Sequence, residues 1–422
     1  MRNTILLFLC FFVFTNVFSQ SEYTIASVKF EGLKRNKEDY LRLFVQSKVD
    51  QFLDQEKIDD DLDLLNRRTG IAKSTINIDT LANQQVDLTY VIEEQRTLIP
   101  QFGIGGIRNN FWWQVGFAEF NLGGRGQTIQ ATYLHNDGRP NGKVFYQNDW
   151  FKGTPWGYGG DLNHSASVEP LFFPGETVFY RYSNTGAGVF GSYNFGFNNK
   201  LLIGTNFFQE NYEKEDINPL EPTPGPDQLT LDKLLIKANL DGNNLGYDYF
   251  YLTGSQWNLL GQAVSTLREE IPFYSITFEV RKFWRPNKTG NFALRVRGAI
   301  ATNRDSPFAP FVIDSRVNIR GVGNRVDRGT AQFIVNFEYR QTVLHRERFA
   351  AQVVGFADSG TWRNPGGSLS DLFDRSQFRQ FIGAGIRLID KKVFQSVFRF
   401  DYGFDIWNAG QKGPVLGIGQ YF

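Results

Sequence analysis

Three chemically reactive residue types are scarce in this sequence of 422 residues, which has one cysteine, one methionine and three histidines. The cysteine, Cys10, lies inside the apolar N-terminal stretch, so we expect a mature chain without disulfides or thiol chemistry. The histidines, His135, His164 and His345, are far apart and lack the spacing of metal ligands. We therefore expect no metal or cofactor site built on these residues.

A charge excess and long apolar runs are also missing. The 45 lysines and arginines are balanced by 44 aspartates and glutamates, which argues against a nucleic-acid surface. After residue 20 no segment has about 18 consecutive apolar residues, so we expect no membrane-spanning helix. There is no G-x-S-x-G motif, and "GIGG" at 103–106 lacks the Lys-Ser/Thr pair of a phosphate loop. We expect neither enzymatic activity nor a bound cofactor.

The first twenty residues, "MRNTILLFLCFFVFTNVFSQ", predict a secretory signal peptide. Arg2 provides the positive start, residues 5–18 the apolar region, and Ser19 and Gln20 the cleavage region. A transmembrane helix would be longer and would carry a stop-transfer flank. We expect residues 1–20 to be removed on export.

Residues 21–96 predict a small α+β domain. "YTIASVKFEG" reads as a strand, segments 36–47 and 55–68 have apolar residues at helical spacing, and "STINIDTL" and "QQVDLTYVIEEQ" read as strands. A run of four aspartates within 59–63 could suggest a metal site, but we assign it to the solvated face of the second helix. The predicted order is strand, helix, helix, strand, strand.

From Thr97 to residue 422, helical spacing disappears and apolar residues alternate with polar ones in segments of about ten residues. In "YSITFEVRKF" and "VFRFDYGFDI" one face is apolar and rich in aromatics, and the other carries charges. A soluble sandwich would carry smaller residues on a buried apolar face, whereas aromatic-rich and charged faces fit lipid outside and a polar lumen. We expect a transmembrane β-barrel in a bacterial outer membrane, with these sixteen strands: 100–107, 111–121, 126–135, 142–151, 156–166, 177–195, 200–211, 231–242, 249–262, 272–285, 290–302, 331–341, 348–360, 379–389, 395–407 and 414–422.

The predicted connections alternate in length. Every second connection is short, such as "GGRG", "KGTP" and "PNKT". The connections between them include long ones, such as the stretch 303–330. Outer-membrane barrels have short periplasmic turns and long extracellular loops. Since an even strand number leaves both barrel ends on one side, we expect the N-terminal domain to lie in the periplasm.

Four motifs, in this order along the chain, resemble those of the BamA/TamA-type surface-antigen superfamily, in which periplasmic POTRA domains precede a sixteen-stranded barrel. The strand and helix order of residues 21–96 is similar to one POTRA domain. The motifs and the residues that match are as follows: the turn "NLGGRGQ" with Gly124, Arg125 and Gly126; "IRGV" with Arg320 and Gly321; "GFADSG" with Phe356, Asp358 and Gly360; and "GPVLGIGQYF" with Gly417, Tyr421 and Phe422 as the C-terminal assembly signal.

The resemblance implies that the long loop before the twelfth strand folds back into the lumen. Its arginine, Arg320, would pair with Asp358 of the thirteenth strand. Glu338 faces the lumen by strand parity, and Gly321 would let the loop turn tightly against the wall. We name Arg320, Gly321, Glu338 and Asp358 the lumenal latch. From the local sequence alone, a solvated loop arginine would be the simpler interpretation.

The resemblance also implies a function. The POTRA domain would receive unfolded outer-membrane or secreted polypeptides by β-augmentation, and the barrel would insert them into the membrane or pass them across it. Outer-membrane lipid is a further partner, and periplasmic chaperones or lipoproteins are candidates. The alternatives are a passive outer-membrane pore and a dedicated secretion transporter for one partner protein.

Overall fold

A computed structural model describes these residues: 23–105, 112–136, 139–173, 175–215, 223–267, 272–306, 309–315, 317–323, 327–407 and 410–422. The predicted signal peptide, residues 1–20, lies outside the described residues. Within the described part of the chain, no helix is long and apolar enough to cross a membrane.

The N-terminal domain has the predicted order of elements. Their bounds are β1 (Thr24–Glu31), α1 (Glu38–Leu41) followed by a 3-10 turn (Arg42–Phe44), α2 (Gln55–Asn66), β2 (Ile71–Leu81) and β3 (Gln85–Glu94). The three strands form one sheet in the order β1-β3-β2, with β1 parallel to β3 and β2 antiparallel to it. Apolar residues of both helices and the sheet form its core, among them Ile25, Leu41, Phe44, Ile58 and Leu65.

Asp61 corrects two predictions for this domain. The aspartate run was expected on a solvated face, but Asp61 is fully buried. Its carboxylate accepts hydrogen bonds from the backbone N–H groups of Gln46 (2.6 Å) and Ser47 (3.1 Å) and from the Tyr90 hydroxyl (2.7 Å). Because residues 46 and 47 donate to this carboxylate, the first helix ends well before the predicted residue 47.

A sheet of sixteen antiparallel strands follows, which confirms the predicted fold class. Eleven strands precede the long loop and five follow it, with these bounds: β4 (Leu98–Gly105), β5 (Trp112–Leu122), β6 (Gln127–Asn136), β7 (Arg139–Asn148), β8 (Trp156–Phe173), β9 (Glu176–Phe195), β10 (Asn199–Lys214), β11 (Gln228–Asp248), β12 (Tyr251–Thr266), β13 (Phe273–Trp284), β14 (Gly290–Ala301), β17 (Ala331–His345), β18 (Phe349–Arg363), β19 (Arg379–Asp390), β20 (Val397–Asp405) and β21 (Lys412–Ile418). The loop itself contains a short hairpin, β15 (Phe311–Ile313) and β16 (Asp327–Gly329).

The two faces of this sheet differ as the alternation predicts. Large apolar side chains stand exposed on the outer face, for example Val189 at 64%, Ile203 at 57% and Phe398 at 57%. Charged side chains of neighbouring strands are buried on the inner face, for example Arg340 and Asp401 at 0%. This is the reverse of a soluble protein and matches a barrel surrounded by lipid.

The first and last barrel strands are the two ends of the sheet. Over the described residues, each strand pairs with its neighbour from β4 through to β21, but no pairing joins β4 to β21. We call the boundary between these two strands the seam. The last strand was predicted to run to Phe422, but it ends at Ile418, because Gly419 adopts a positive φ of 87° and the chain then turns inward.

The N-terminal domain contacts the turns at the near end of the barrel. Trp150 and Phe197, from the second and third short turns, pack against the core of the domain. The linker residue Arg96 forms a parallel bridge with Val393, through hydrogen bonds of 2.9 Å to both neighbours of that residue. The domain therefore lies directly beneath the barrel wall and is held by apolar and backbone contacts.

Candidate functional site

Arg320 lies inside the barrel, where it binds the carboxylate of Asp358. The Arg320 side chain donates from Nε (2.8 Å) and Nη2 (2.9 Å) to the two Asp358 oxygens, and its backbone N–H adds a third bond of 2.9 Å. Nη1 donates to Glu338, and both partners are completely shielded from solvent. This bidentate geometry requires a planar guanidinium, so a lysine could not reproduce it.

The F-x-D-x-G motif of β18 contacts the loop with all three of its defined residues. The Phe356 ring lies 3.7 Å from the guanidinium carbon of Arg320, and Asp358 forms the ion pair. A Cβ at Gly360 would lie 2.6 Å from the Ile319 side chain, so the glycine leaves space for that residue. The motif thus accommodates Ile319 and Arg320 in three ways: Phe356 stacks on the guanidinium, Asp358 balances its charge, and Gly360 leaves room for the Ile319 side chain.

Gly321 lets the loop backbone lie against the barrel wall. Its φ of 92° is a conformation that glycine adopts without strain, and a Cβ there would approach the carbonyl oxygen of Gly403 to 2.7 Å. Conversely, a Cβ at Gly403 would lie 2.3 Å from the carbonyl oxygen of Arg320. Two glycines are therefore needed for this contact, and only Gly321 was predicted from the sequence.

A larger ionic network surrounds the lumenal latch. Arg387 of β19 binds Asp401 through Nη1 (2.6 Å) and Nη2 (3.2 Å), and Arg340 donates to Glu338. Arg295 of β14 donates to Asn336 at 2.9 Å and to the loop carbonyl of residue 317. Sequence reasoning did not assign these residues to the site, although strand parity already placed Arg340 and Asp401 on charged inner faces.

The charges of this network are largely paired with one another, which suits it to hold the loop in place. Within the described residues, no group of three or more His, Cys, Asp and Glu side chains is placed to hold a metal ion. Each carboxylate of the lumenal latch instead pairs with at least one arginine. Removing one partner of such a buried pair costs about 3–5 kcal/mol, because the other charge remains desolvated.

The residues predicted as a C-terminal assembly signal also reach this network. Tyr421 and Phe422 are buried, at 6% and 7% exposure, and the Tyr421 hydroxyl donates to the loop carbonyl of Ser315 at 3.1 Å. Gly417 stays in β21, where a Cβ would lie 2.7 Å from the Arg399 guanidinium. The Tyr421 ring also lies 4.4 Å from the guanidinium carbon of Arg320, so the end of the chain contacts the lumenal latch.

The predicted turn motif lies elsewhere, at the N-terminal domain. The carbonyl of Gly124 accepts from the backbone N–H of Lys37 at 2.9 Å, and Arg125 binds Asp39 at 2.7 Å. The hydrogen bond from the Arg125 side chain holds the pKa of the Asp39 carboxyl below its usual range. A Cβ at Gly126 would lie 2.2 Å from the Tyr40 hydroxyl. The turn is a docking contact between the barrel and the domain.

Comparison with known proteins supports both parts of the chain. Residues 23–95 match the POTRA family model, described as a surface antigen variable number repeat. BamA from Haemophilus ducreyi lacking POTRA domains 1–3 has 16% identity and a TM-score of 0.56, over 93% of this chain and 83% of that one. CdiB from Escherichia coli has 10% identity and a TM-score of 0.58, over 93% and 75%.

CdiB from Acinetobacter baumannii is similar as well, with 12% identity and a TM-score of 0.53 over 91% of this chain and 70% of that one. At these identities the likeness concerns the fold, which combines a POTRA domain with a barrel. The resemblance seen in the sequence motifs is therefore confirmed. The POTRA match over residues 23–95 and the barrel fold shared with BamA and CdiB show one POTRA domain before a sixteen-stranded barrel, the architecture that the resemblance to the BamA/TamA-type surface-antigen superfamily predicts.

Proposed function

We propose that this protein receives unfolded polypeptides at its POTRA domain and inserts them into the outer membrane or passes them across it. The observation that carries this proposal is the seam, where β4 and β21 are not paired in the described part of the chain. An unpaired strand edge is a template for another strand. Burial of the client's apolar surface in lipid supplies the driving force, so no nucleotide or cofactor is needed.

The POTRA domain supports a role in client capture because one edge of its sheet is accessible. The β1 edge is covered by the chain segment 50–53, through backbone hydrogen bonds of 2.9 Å from Ile25 to Gln51 and from Leu53 to Tyr23. Among the described residues, none pairs with the outer edge of β2 from Thr75 to Leu81. We assign β-augmentation to this edge, with the domain on the periplasmic side of the membrane.

In this structure the lumenal latch holds the long loop inside the barrel. This arrangement supports a closed lumen rather than an open passage. Arg320 holds the loop against β17 and β18, and Arg328 of the loop hairpin binds Glu169 of β8 at 2.8 Å. The loop therefore spans the lumen between opposite walls.

A reversible cross-link at the seam tests the proposed function. Cysteines are placed at Phe102 of β4 and Leu416 of β21, both outward-facing and 74% and 75% exposed, and are joined by a flexible bifunctional thiol reagent that reduction cleaves. The matched control joins Phe400 and Leu416, which already face each other in neighbouring strands. We expect the seam cross-link alone to stop assembly or secretion of client proteins in cells, with recovery on reduction.

The same experiment separates the alternatives. If the seam cross-link leaves client assembly and secretion unchanged while conductance persists, the protein is a passive pore and the proposed function is wrong. Loss of many outer-membrane proteins on cross-linking indicates general insertion. Loss of one secreted protein indicates a dedicated transporter.

A further inference from the structure

A polar cavity lies at the end of the barrel far from the N-terminal domain. β19 begins there at Arg379 and ends at Asp390, and the turn after Asp390 contacts the linker of the domain. The cavity has a volume of about 310 Å³, and its lining includes Arg375, Arg379, Asp405, Trp407 and Gln411. With the domain on the periplasmic side, as proposed above, this cavity faces the cell exterior.

Both arginines of the cavity lie over tryptophan rings. The guanidinium carbon of Arg375 lies 4.6 Å from the centre of the Trp407 ring, and that of Arg379 lies 4.7 Å from the centre of the Trp362 ring. The attraction between a cation and the face of a ring leaves the N–H groups of the guanidinium able to bind an anion. The tryptophans therefore position two sets of hydrogen-bond donors at one cavity.

The two arginines differ in what their N–H groups bind. Arg379 is occupied, because Nη2 lies 3.2 Å from the Asp327 carboxylate and Nη1 donates to the carbonyl of Ser376 at 3.2 Å. Among the described residues, none accepts a hydrogen bond from the guanidinium of Arg375. A guanidinium has five donors in a planar fork that matches the oxygens of a phosphate. Arg375 therefore has the donors for an anionic ligand.

Acceptors lie beside these donors. Asp405 is buried, at 7% exposure, and one of its oxygens accepts from the backbone N–H of Trp407 at 2.8 Å. A carboxylate has about four acceptor sites, and the Gln411 amide carries both donors and an acceptor. Asp405 would repel a bare anion or an acidic peptide, but it can accept from hydroxyl groups. The cavity therefore suits a ligand that carries hydroxyls next to its anionic group.

The exposed part of Trp407 adds an apolar surface to the cavity. Its side chain is 59% exposed, and its Nε1 donates to the Gln380 side chain at 2.8 Å, which orients the ring. An indole ring combines a large apolar face with little conformational freedom. The C–H groups of a sugar ring can pack against such a face while its hydroxyls reach Asp405 and Gln411.

We propose that this cavity binds a phosphorylated sugar, with the phosphate at Arg375 and the ring hydroxyls at Asp405 and Gln411. This site goes beyond the proposed function and does not depend on it. An arginine–phosphate pair is charge-assisted and frequently bidentate, which gives it direction as well as strength. Two sources have this chemistry: the sugar headgroup of a phosphorylated glycolipid in the outer leaflet, and a free sugar phosphate outside the cell.

Binding to the full-length protein in neutral detergent micelles tests the site. Calorimetric titration with glucosamine 1-phosphate measures the soluble ligand, and glucosamine and inorganic phosphate are the two partial ligands. Native mass spectrometry with diphosphorylated lipid A measures the lipid-linked ligand. Tetra-aspartate is the competitor from a different chemical class.

The variants are Arg375→Ala, Arg375→Lys and Trp407→Leu, each checked for folding by heat-dependent gel mobility. Arg348→Ala is the matched control. Arg348 also lies over an aromatic ring, 4.9 Å from the centre of Phe349, but it is at the other end of the barrel and binds Asp390 at 2.9 Å.

We expect glucosamine 1-phosphate to bind the wild type and Arg348→Ala equally and Arg375→Ala at least tenfold more weakly, because the phosphate loses a charge-assisted pair. Arg375→Lys keeps the charge without the fork and should fall between them. Trp407→Leu should also weaken binding, and each partial ligand should bind the wild type at least tenfold more weakly. Lipid A binding that Arg375→Ala abolishes assigns the site to the glycolipid, whereas binding of the soluble ligand alone assigns it to the free sugar phosphate.

Four outcomes overturn the site. One is equal affinity of folded Arg375→Ala and wild type for glucosamine 1-phosphate. Another is inorganic phosphate binding as tightly as the sugar phosphate, which shows an adventitious ion only. Displacement of the sugar phosphate by an equal concentration of tetra-aspartate indicates a polypeptide ligand instead, and no binding of any ligand, lipid A included, leaves no site. The proposed function survives all four, because the seam cross-link tests it through client assembly.

Discussion

The guanidinium carbon of Arg320 lies 4.4 Å from the centre of the Tyr421 ring, so the long loop and the last residues of the chain are in direct contact. The same guanidinium carbon lies 3.7 Å from the centre of the Phe356 ring. Arg320 is thus enclosed by two rings while its nitrogens bind carboxylates. Any movement of the seam that displaces residue 421 removes one of these contacts from the lumenal latch.

Substitutions of Tyr421 should loosen the loop in graded steps. Tyr421→Phe removes only the hydrogen bond to Ser315, worth about 1 kcal/mol. Tyr421→Leu also removes the cation–π contact, worth up to about 2 kcal/mol in a desolvated site. We expect protease cleavage within 302–330 to increase in the order wild type, Phe, Leu. Equal cleavage of all three proteins would contradict this coupling.

Arg320→Ala should release the loop, because it leaves Asp358 and Glu338 buried with less charge compensation, at a cost of about 3–5 kcal/mol. Asp358→Ala should have a similar effect, and Arg320→Lys should fall between them and the wild type. Protease access and single-channel conductance measure the release. Arg304→Ala is the control in the same loop, since that side chain is 56% exposed and should change stability little. Wild-type behaviour of both Ala variants at 320 and 358 would disprove the lumenal latch.

Gly403→Ala should displace the loop without altering any charge. The added methyl group would lie 2.3 Å from the carbonyl oxygen of Arg320, and such overpacking costs about 1–3 kcal/mol. Gly355→Ala is the matched control, because a Cβ there meets no atom within 4 Å. Thermal unfolding followed by heat-dependent gel mobility should separate the two variants. An unchanged Gly403→Ala protein would show that the loop does not lie against β20.

Asp61→Ala should destabilise the POTRA domain. It leaves two backbone N–H groups and the Tyr90 hydroxyl without their acceptor, which costs about 3 kcal/mol. Burial raises the pKa of Tyr90, so that hydroxyl remains a donor at neutral pH. Asp60→Ala, at an exposed position of the same helix, is the control. Hydrogen exchange of β3 amides in the full chain should accelerate only in the first variant.

The loop hairpin should respond to pH through Asp327. Burial raises the pKa of Asp327 to about 6, although Arg379, 3.2 Å away, opposes the shift. Because the folded pKa exceeds the ordinary value of about 3.9, the stabilising contribution is complete below about pH 4. It is lost as the pH rises through 6. A spin label at Val312→Cys in the hairpin should be more mobile at pH 7.5 than at pH 5. Asp327→Asn should abolish the difference, and a wild-type label insensitive to pH would refute the prediction.

Strand alternation alone determined the architecture of this protein. A period of two, with aromatics on one face and charges on the other, is a local property of the backbone and does not depend on distant contacts. All sixteen strands could therefore be placed from the sequence, mostly within a few residues of their bounds in the structure. The inward direction of Glu338 follows from the same parity.

Features that depend on contacts between distant segments were decided only by the tertiary structure. Asp61 looks like its exposed neighbours in sequence, and only the fold brings residues 46 and 47 to its carboxylate. Gly403 appears as an ordinary strand glycine until the loop lies against it. The inward turn after Ile418 likewise depends on lumenal partners supplied by strands more than eighty residues away in sequence, such as Arg340 with Phe422. Alternation specifies which face of the sheet a residue occupies, but only the packed barrel specifies which residues its side chain contacts on that face.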